Sequence, residues 1–571
     1  MSLSSIFNSI KLNWQSGLTV ALVSLPLSIA LSLASGAGPI PGVITGVWAC
    51  LIASIFGGSQ FNIVGTAGAL TTILYAASVL QIGGIAGVLF LPLLAILTGL
   101  VILLVYVLKL ERYLVYIPSS VMYGFASGVA ILIAINQLND ALGLRLKSTP
   151  HFLENVEQTF SHISSASVIS FVVFAIALTI LLLFKKFVKN IPGVIPVSFL
   201  GIVLGYIAEK TQFLPQLAEL TTLQEKLNVN IVPQLWQAFN VNTISALFNS
   251  LPDLEKIVEL AFIVALISIL ETLITAKLAD KITKQKSSPR QEVLALGLAN
   301  LASGIMGGLP ASGVFIRTGL NVKSGATGKV SGILAAIFTA ILAVFLLPYF
   351  QYLPMPILAA ILFNTAIGLL EIKHFVHYFY EDKKSLIVSL AVMLLTVIQD
   401  ASIGILLGTT LALLFFVDKL SKGEFEVRFN RNRKIVDVKH GTSLKCVVDA
   451  DVVVYSIEGI MVYLDAPAHI ENLQKIAAMP KVHTVILRLR DLFYVDLDGM
   501  EMLEEAILTL QAEGKDVILT KPTEDILDEV LHNHVIADLN KRGKIVDKTA
   551  DALTLLGFKK EDIGAREENA I

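Results

Sequence analysis

Residues 257–276 read IVELAFIVALISILETLITA: fourteen almost wholly apolar residues, then Glu271, then five more of membrane character. A helix crossing about 30 Å of hydrocarbon needs roughly 20 such residues, more than a helix in a soluble core requires. Counted from Lys256 at 1.5 Å per residue, Glu271 stands about 20 Å into that layer. An ion at that depth is costly and protonation relieves the cost, so Glu271 is expected to face a cavity or a partner. Thr275 lies one turn on, on the same helix face. The two are candidate ion-coupling residues, with a proton as the coupling ion. A carboxylate held by fixed hydrogen bonds, with no part in transport, fits the same sequence.

Similar runs fill the chain on both sides. Of the 571 residues 55% are hydrophobic and 15% charged, against about 25% charged in an average globular chain. The deficit lies in residues 17–417, and residues 418–571 have ordinary soluble composition. Fourteen candidate spans follow: 17–34, 41–56, 66–81, 85–108, 114–139, 166–184, 193–208, 257–279, 292–306, 312–321, 330–348, 354–370, 385–399 and 401–417. Two of them, 66–81 and 312–321, are short or interrupted by glycine. The polar start, Met1–Gln15 with its single Lys11, lacks a small-residue cleavage site and reads as an uncleaved cytoplasmic segment, residues 1–16.

Connections after even-numbered spans collect Lys109 and Arg112, Lys185, Lys186 and Lys189, Lys281 to Arg290, Lys323 and Lys329, and Lys373 to Lys384. The long odd-side connections, 140–165 and 209–256, are poorer in lysine and arginine. Basic connections stay in the cytoplasm, so both termini are expected there, in a multi-pass protein of the plasma or inner membrane. Net charge is −2, and no global field points to nucleic acid. Cys50 and Cys446 support no disulfide framework. His374 and His377 follow Glu371 in a basic connection and read as bland; no metal, cofactor, phosphate loop or catalytic triad is expected.

LIASIFGG at 51–58 is echoed by LASGIMGG at 301–308, and each double glycine precedes one of the broken spans. Seven spans start before residue 251 and seven after, and a repeat of odd length must be inverted in the membrane. Broken helices at matched positions of inverted repeats mark a midplane site. In the second, Leu309–Gly313 leads into a half-helix whose N–H groups and dipole favour an anion, and Arg317 adds a charge just beyond. Asn62–Gly68 is the matching stretch. Arg317 could instead tie helices together, or neutralise Glu271 as a buried pair.

ETLITAKLADK at 271–281, QEVLALGLANL at 291–301, GGLPASGVFIRTGLNVKSGATGK at 307–329 and LPLSIALSLASG at 25–36 resemble, in order, elements of the SulP sulfate permease family. Pendrin and prestin are animal relatives of that family. The resemblance implies an α-helical polytopic fold, 14 segments in a 7+7 inverted repeat with core and gate subdomains, working as an elevator in a homodimer. By position it assigns Pro26 and Ser28 to the cavity, Thr66, Ala67, Gly68, Ser312 and Gly313 to the half-helix termini, Arg317 to the anion and Glu271 to ion coupling. Bicarbonate members of the family use sodium. Here Val314-Phe315 after Gly313 lacks the hydroxyl expected for that ion, which favours the proton.

After a linker at 418–445, residues 446–560 resemble a small α/β STAS domain, followed by a polar tail at 561–571. Strands are expected at Asp451–Glu458, Met461–Leu464, Val482–Leu489 and Asp516–Thr520, with helices at Ala468–Ala478, Leu497–Ala512 and Glu524–His532. Where similar antagonist proteins carry a phosphorylatable serine, this chain has Asp498, so the domain is expected to be an assembly or docking surface for a cytosolic partner. The expected function is secondary transport of a small inorganic anion, sulfate or bicarbonate, with a proton. The alternatives are sodium-coupled bicarbonate uptake, dicarboxylate transport on the same scaffold, and an anion channel or membrane scaffold for the STAS domain; no enzyme activity is expected.

Overall fold

The computed structural model describes residues 3–558 apart from 80, 83–84, 117, 145, 147–151, 189–191, 211–219, 228–231, 238–244, 246–250, 371, 400, 422–423, 432–433, 439–449, 523–526 and 528–529. The chain forms two compact units, Met1–Ala412 and Leu413–Ile571.

A helix stands at each of the expected spans. In chain order these are α1 (Leu3–Ala34), α2 (Pro39–Phe56), α3 (Thr71–Val79), α4 (Leu91–Val107), α5 (Ser119–Asn136), α6 (Val168–Phe187) and α7 (Val194–Lys210). The second seven are α8 (Leu251–Thr283), α9 (Pro289–Ile305), α10 (Phe315–Lys323), α11 (Val330–Phe350), α12 (Met355–Leu369), α13 (Lys383–Ile398) and α14 (Ala401–Leu420). Among the described residues, length and hydropathy alone pick out nine crossing helices. Half-helices and short helices make up the difference: α3 and α10 have nine residues each, about 14 Å at the usual rise.

The contacts carry the repeat. The pairs α1–α11, α2–α11 and α1–α2 recur seven helices on as α8–α4, α9–α4 and α8–α9. Likewise α5–α13 recurs as α12–α6. Helices α1–α4 with α8–α11 thus pack among themselves, as α5 and α6 do with α12 and α13. Where α2, α4, α8 and α9 meet, the core is built from Ala49, Ala53, Ala265 and Ala299 with a few larger residues. Small side chains let helix backbones approach closely.

The two double glycines have different reasons to be there. Gly307 ends α9 at φ +88°, a left-handed conformation that suits glycine. Gly57 is extended, and at Gly58 a Cβ would lie 2.3 Å from the Ser288 carbonyl oxygen. The polar N-terminal residues do not stay apart from the membrane unit: α1 is continuous from Leu3. Asn13 donates to Thr327 Oγ1 at 2.8 Å and accepts from the Thr327 N–H at 2.8 Å. In the connection after α12, His374 stacks on Tyr123, ring centroids 3.9 Å apart; Glu371 lies outside the described residues.

The second unit is an α/β sheet. Its strands are β3 (Glu424–Arg431), β4 (Lys434–Val438), β5 (Val452–Met461), β6 (Thr484–Arg488), β7 (Leu492–Val495), β8 (Asp516–Thr520) and β9 (Ile545–Val546), the labels β1 and β2 falling to two short strands of the membrane unit, Val64–Gly65 and Ser312–Gly313. The order is β9-β8-β6-β5-β3-β4, with β7 beside β5, parallel from β5 through β9 and antiparallel in the β3–β4 hairpin. Helices α15 (Ala466–Ala477) and α16 (Leu497–Ala512) pack on each other. Two expectations are corrected. The stretch read as a linker, 418–445, holds the end of α14 and the β3–β4 hairpin, which adds two strands to the sheet. Met461–Leu464 is not a separate strand: β5 runs through to Met461 past a register shift at Gly459, and Tyr463–Asp465 is a turn. The expected helix at Glu524–His532 lies partly outside the described residues, and Cys446 wholly so.

His469 of α15 is fully buried against Tyr455, its Nδ1 2.9 Å from the phenol oxygen. Burial pulls its pKa down to about 4 from 6.5. Between those values the unfolded chain binds a proton that the folded chain refuses, so this contribution to stability is whole above pH 6.5 and lost as pH falls toward 4. The loss is on the order of 3 kcal/mol at 1.36 kcal/mol per pH unit. Thermal unfolding of this second unit is expected to show it as a falling Tm below pH 6.5. In His469→Gln that part of the slope should be absent, and an unchanged slope would refute it.

Candidate functional site

The broken spans cross through a two-residue ladder. Strand β1 runs antiparallel to β2, Val64 opposite Gly313 and Gly65 opposite Ser312. Beyond β1 comes a 3-10 turn, Gly68–Leu70, that leads into α3, and beyond β2 comes α10. Because the strands are antiparallel, the two half-helices leave in opposite directions with their N-termini on either side of one ladder. Neither first turn is capped by a side chain. Uncapped first-turn N–H groups and the helix dipole give each end a partial positive charge.

The extended lead-ins are held by side chains from neighbouring helices. Asn300 of α9 donates to the Ala311 carbonyl at 3.0 Å and accepts from the Ala311 N–H at 2.8 Å. Thr45 of α2 accepts from the Leu309 N–H at 2.7 Å, and Ser303 donates to the Leu309 carbonyl at 2.7 Å. On the other side, Asn321 donates to the Phe61 carbonyl at 2.9 Å and Thr318 accepts from the Ile63 N–H at 2.9 Å. The first half of the crossing is thus fixed by the opposite repeat, and the second by α9 of its own repeat together with Thr45 of the first.

The structure brings most of the expected residues together. Ser28 and Thr66 are buried, and their hydroxyls are 3.2 Å apart. Arg317, 1% exposed, donates through Nη2 to Ser28 Oγ at 3.1 Å and Thr66 Oγ1 at 3.0 Å. Its Nε is buried with no hydrogen-bond partner. Buried polar groups are rarely left so, and a guanidinium edge with a spare donor suits an oxyanion. Glu271 is buried and accepts a hydrogen bond from Ser312 Oγ. Thr275 Oγ1 donates to the Gly313 carbonyl at 3.3 Å, and Thr272 accepts from the Gly313 N–H at 2.8 Å. Among the described residues no ion pair joins Glu271 to Arg317, so the two charges do not neutralise each other by direct contact.

Pro26 is buried in the middle of α1, where it leaves a carbonyl one turn back without its helical donor. Ala67 precedes the 3-10 turn and Gly68 opens it. A Cβ on Gly68 would lie 3.2 Å from Leu369 and 3.4 Å from Ile133, so this end of the site abuts α12 and α5. A separate cavity of about 860 Å³ lies between the helix groups, lined in part by Leu33, Tyr75, Gln137 and Met355 and by the Asp140–Lys226 ion pair at 2.6 Å. None of the candidate residues lines it.

Sequence reading did not single out Gly65. A Cβ there would lie 2.5 Å from Arg317 Nη1, so the guanidinium holds its place against the first crossing strand because residue 65 has no side chain. Gly65→Ala is expected to displace Arg317 and weaken substrate binding about tenfold, a change worth about 1.4 kcal/mol. At Gly319 a Cβ would meet no atom within 4 Å, and Gly319→Ala serves as the neutral control. Equal affinities for the two variants would contradict this placement.

The pattern of the sulfate permease family matches residues 10–392, and that of the STAS domain matches residues 443–552. YvdB of Bacillus subtilis is 26% identical over 492 residues, covering 85% of this chain and 87% of that one. The bicarbonate transporter BicA of Picosynechococcus is 24% identical over 435 residues, 74% of this chain and 72% of that one. In fold, the murine Slc26a9 anion transporter superposes with a TM-score of 0.79 at 15% identity, covering 97% of this chain and 95% of that one. The chain belongs to the sulfate permease family, a family of anion transporters, and carries a STAS domain behind its membrane unit.

Proposed function

We propose that this protein is a secondary active transporter that takes up a small inorganic anion, sulfate or bicarbonate, together with a proton. The observation that carries this reading is Arg317: a buried guanidinium with a free Nε, beside two uncapped half-helix N-termini. Positive charge of this kind, fixed and sheltered from water, serves an anion without a metal. Glu271, one hydrogen bond from Ser312 at the second terminus, is the proton carrier. Thr275 steadies the Gly313 carbonyl beside it. The candidate residues all lie on or between helices of the α1–α4 and α8–α11 group and abut α5 and α12 at Gly68, which supports an elevator in which the first helix group carries the site past the second. The working unit is a homodimer in the plasma or inner membrane with both termini in the cytoplasm, and the STAS unit is a docking surface. Asp496 N-caps α16 through the Gly499 N–H at 2.7 Å, and Asp498 is exposed in the first turn where a switch hydroxyl would stand.

Sodium-coupled bicarbonate uptake is the second reading, favoured by the likeness to BicA. Against it, two candidate oxygens of the site are already engaged, Ser312 Oγ with the Glu271 carboxylate and Thr275 Oγ1 with the Gly313 carbonyl. The test is uptake of labelled sulfate, bicarbonate and fumarate into proteoliposomes, with proton and sodium gradients imposed separately. Sulfate or bicarbonate uptake that follows the proton gradient is expected. Uptake driven by sodium would install the second reading, and fumarate as the sole substrate would replace the inorganic anion with a dicarboxylate.

A further inference from the structure

Glu292, in the first turns of α9, is 2% exposed, and the mechanism above gives it no task. Its carboxylate accepts a hydrogen bond from the Ser59 N–H, in the loop that leads to the first broken span, and the Asn62 side chain faces the same carboxylate. Asn62 in turn touches both functional arms of the site. Its Nδ2 donates to the Thr272 carbonyl at 3.4 Å, and Thr272 is the neighbour of Glu271. Its Oδ1 accepts from Thr318 Oγ1 at 3.0 Å, and Thr318 is the neighbour of Arg317. A Cβ on Gly313 would lie 3.2 Å from both amide atoms, so the second crossing strand runs directly over Asn62. One amide thus has a bond toward the coupling helix, one toward the arginine helix and a carboxylate behind it.

An asparagine amide presents two donors and two acceptor lone pairs, and which end faces which way depends on its neighbours. Thr318 Oγ1, which already accepts from the Ile63 N–H, donates to the oxygen, and the Thr272 carbonyl, an acceptor only, fixes the nitrogen. The Glu292 carboxylate accepts only, and so favours the same orientation. We infer that Glu292 and Asn62 form a positioning pair that sets the separation of the Glu271 and Arg317 arms and thereby the affinity for the transported anion. This inference rests on the proposed site. Its alternative is a plain anchor, in which Glu292 only fastens residues 57–60 to α9; that would change how much protein folds but not how tightly the folded protein binds.

The test is a kinetic comparison in proteoliposomes, with labelled sulfate and labelled bicarbonate as probes and the folded transporter quantified by size-exclusion chromatography. Glu292→Gln is expected to raise KM about five- to tenfold with the maximal rate per folded transporter within about twofold. Asn62→Ala is expected to raise KM at least as much, and the Asn62→Ala/Glu292→Gln double variant no further, because Glu292 acts through Asn62. Asn62→Asp sets two carboxylates face to face and is expected to be the worst variant; adding Glu292→Gln returns a donor to the contact and should recover part of its KM. Should Asn62→Ala fold poorly, Asn62→Ser and the Asp/Gln exchange decide the matter. KM values unchanged in folded variants, effects that multiply, or no recovery in the exchanged pair would overturn the inference. If Arg317→Ala leaves KM unchanged, the site itself is misplaced. If Arg317→Ala raises KM while the Glu292 and Asn62 variants do not, the positioning pair alone fails.

Discussion

Arg317→Ala is expected to weaken substrate binding by roughly 10- to 100-fold and to leave a folded, membrane-inserted protein. A hydrogen bond to a charged group contributes about 1.5–3 kcal/mol, and tenfold in affinity corresponds to about 1.4 kcal/mol. The protein itself loses little, because Thr66 Oγ1 already donates to Ser28 Oγ at 3.2 Å and the two hydroxyls keep that bond once the guanidinium is gone. Removing a buried charge also removes the cost of keeping it out of water. Arg317→Lys separates charge from geometry: an ammonium keeps the field but cannot serve two hydroxyls and an oxyanion as a planar fork. Its affinity should fall between those of the wild type and the alanine variant. Equilibrium binding of labelled sulfate and bicarbonate to purified protein measures all three. Wild-type affinity in Arg317→Ala would mean that the arginine only ties α1, α10 and the first crossing strand together.

The membrane unit was legible because lipid imposes a simple rule: each crossing leaves a long apolar run, and each broken crossing a short one with glycine beside it. That rule places α3 and α10 and reads Glu271 and Arg317 as exceptions to it. It is silent about polar contacts between residues more than two hundred positions apart. Asn62, Thr272 and Thr318 are ordinary residues one at a time, and only the fold joins them. Glu292 opens the expected span 292–306 directly after Arg290 and Gln291, where a charge reads as ordinary, yet its side chain turns inward to Ser59. At the N-terminus, the polarity of Leu3–Gln15 reflects a helix that continues out of the apolar layer and is tied down by Asn13. In the STAS unit the signal for β3 was present: Phe425, Val427 and Phe429 alternate with Glu424, Glu426 and Arg428, a period of two. The surrounding charges hid it. The β5 strand was cut short for the opposite reason, since Gly459 resembles a turn and is in fact a register shift inside one strand.

Glu271→Gln is expected to abolish anion uptake driven by an inward proton gradient, the largest functional loss that any single substitution here should cause. Glutamine nearly matches the protonated acid in shape and keeps an oxygen to accept from Ser312 Oγ, so the second half-helix terminus should hold its place. What it cannot do is release a proton on one side of the membrane and take one up on the other. A carrier fixed in its neutral form can still exchange internal for external substrate, because that half of the cycle needs no change of protonation. Counterflow of labelled anion should therefore survive in Glu271→Gln while net accumulation disappears. Arg317→Ala should do the reverse of a coupling defect: it raises the concentration needed for both modes and, at saturating substrate, retains dependence on the proton gradient. The two variants fail in different experiments, which makes the assignment of roles testable even before the substrate is known. Gradient-driven uptake by Glu271→Gln at the wild-type rate, or wild-type uptake that tracks sodium and ignores pH, would take the proton away from Glu271 and leave the sodium reading in its place.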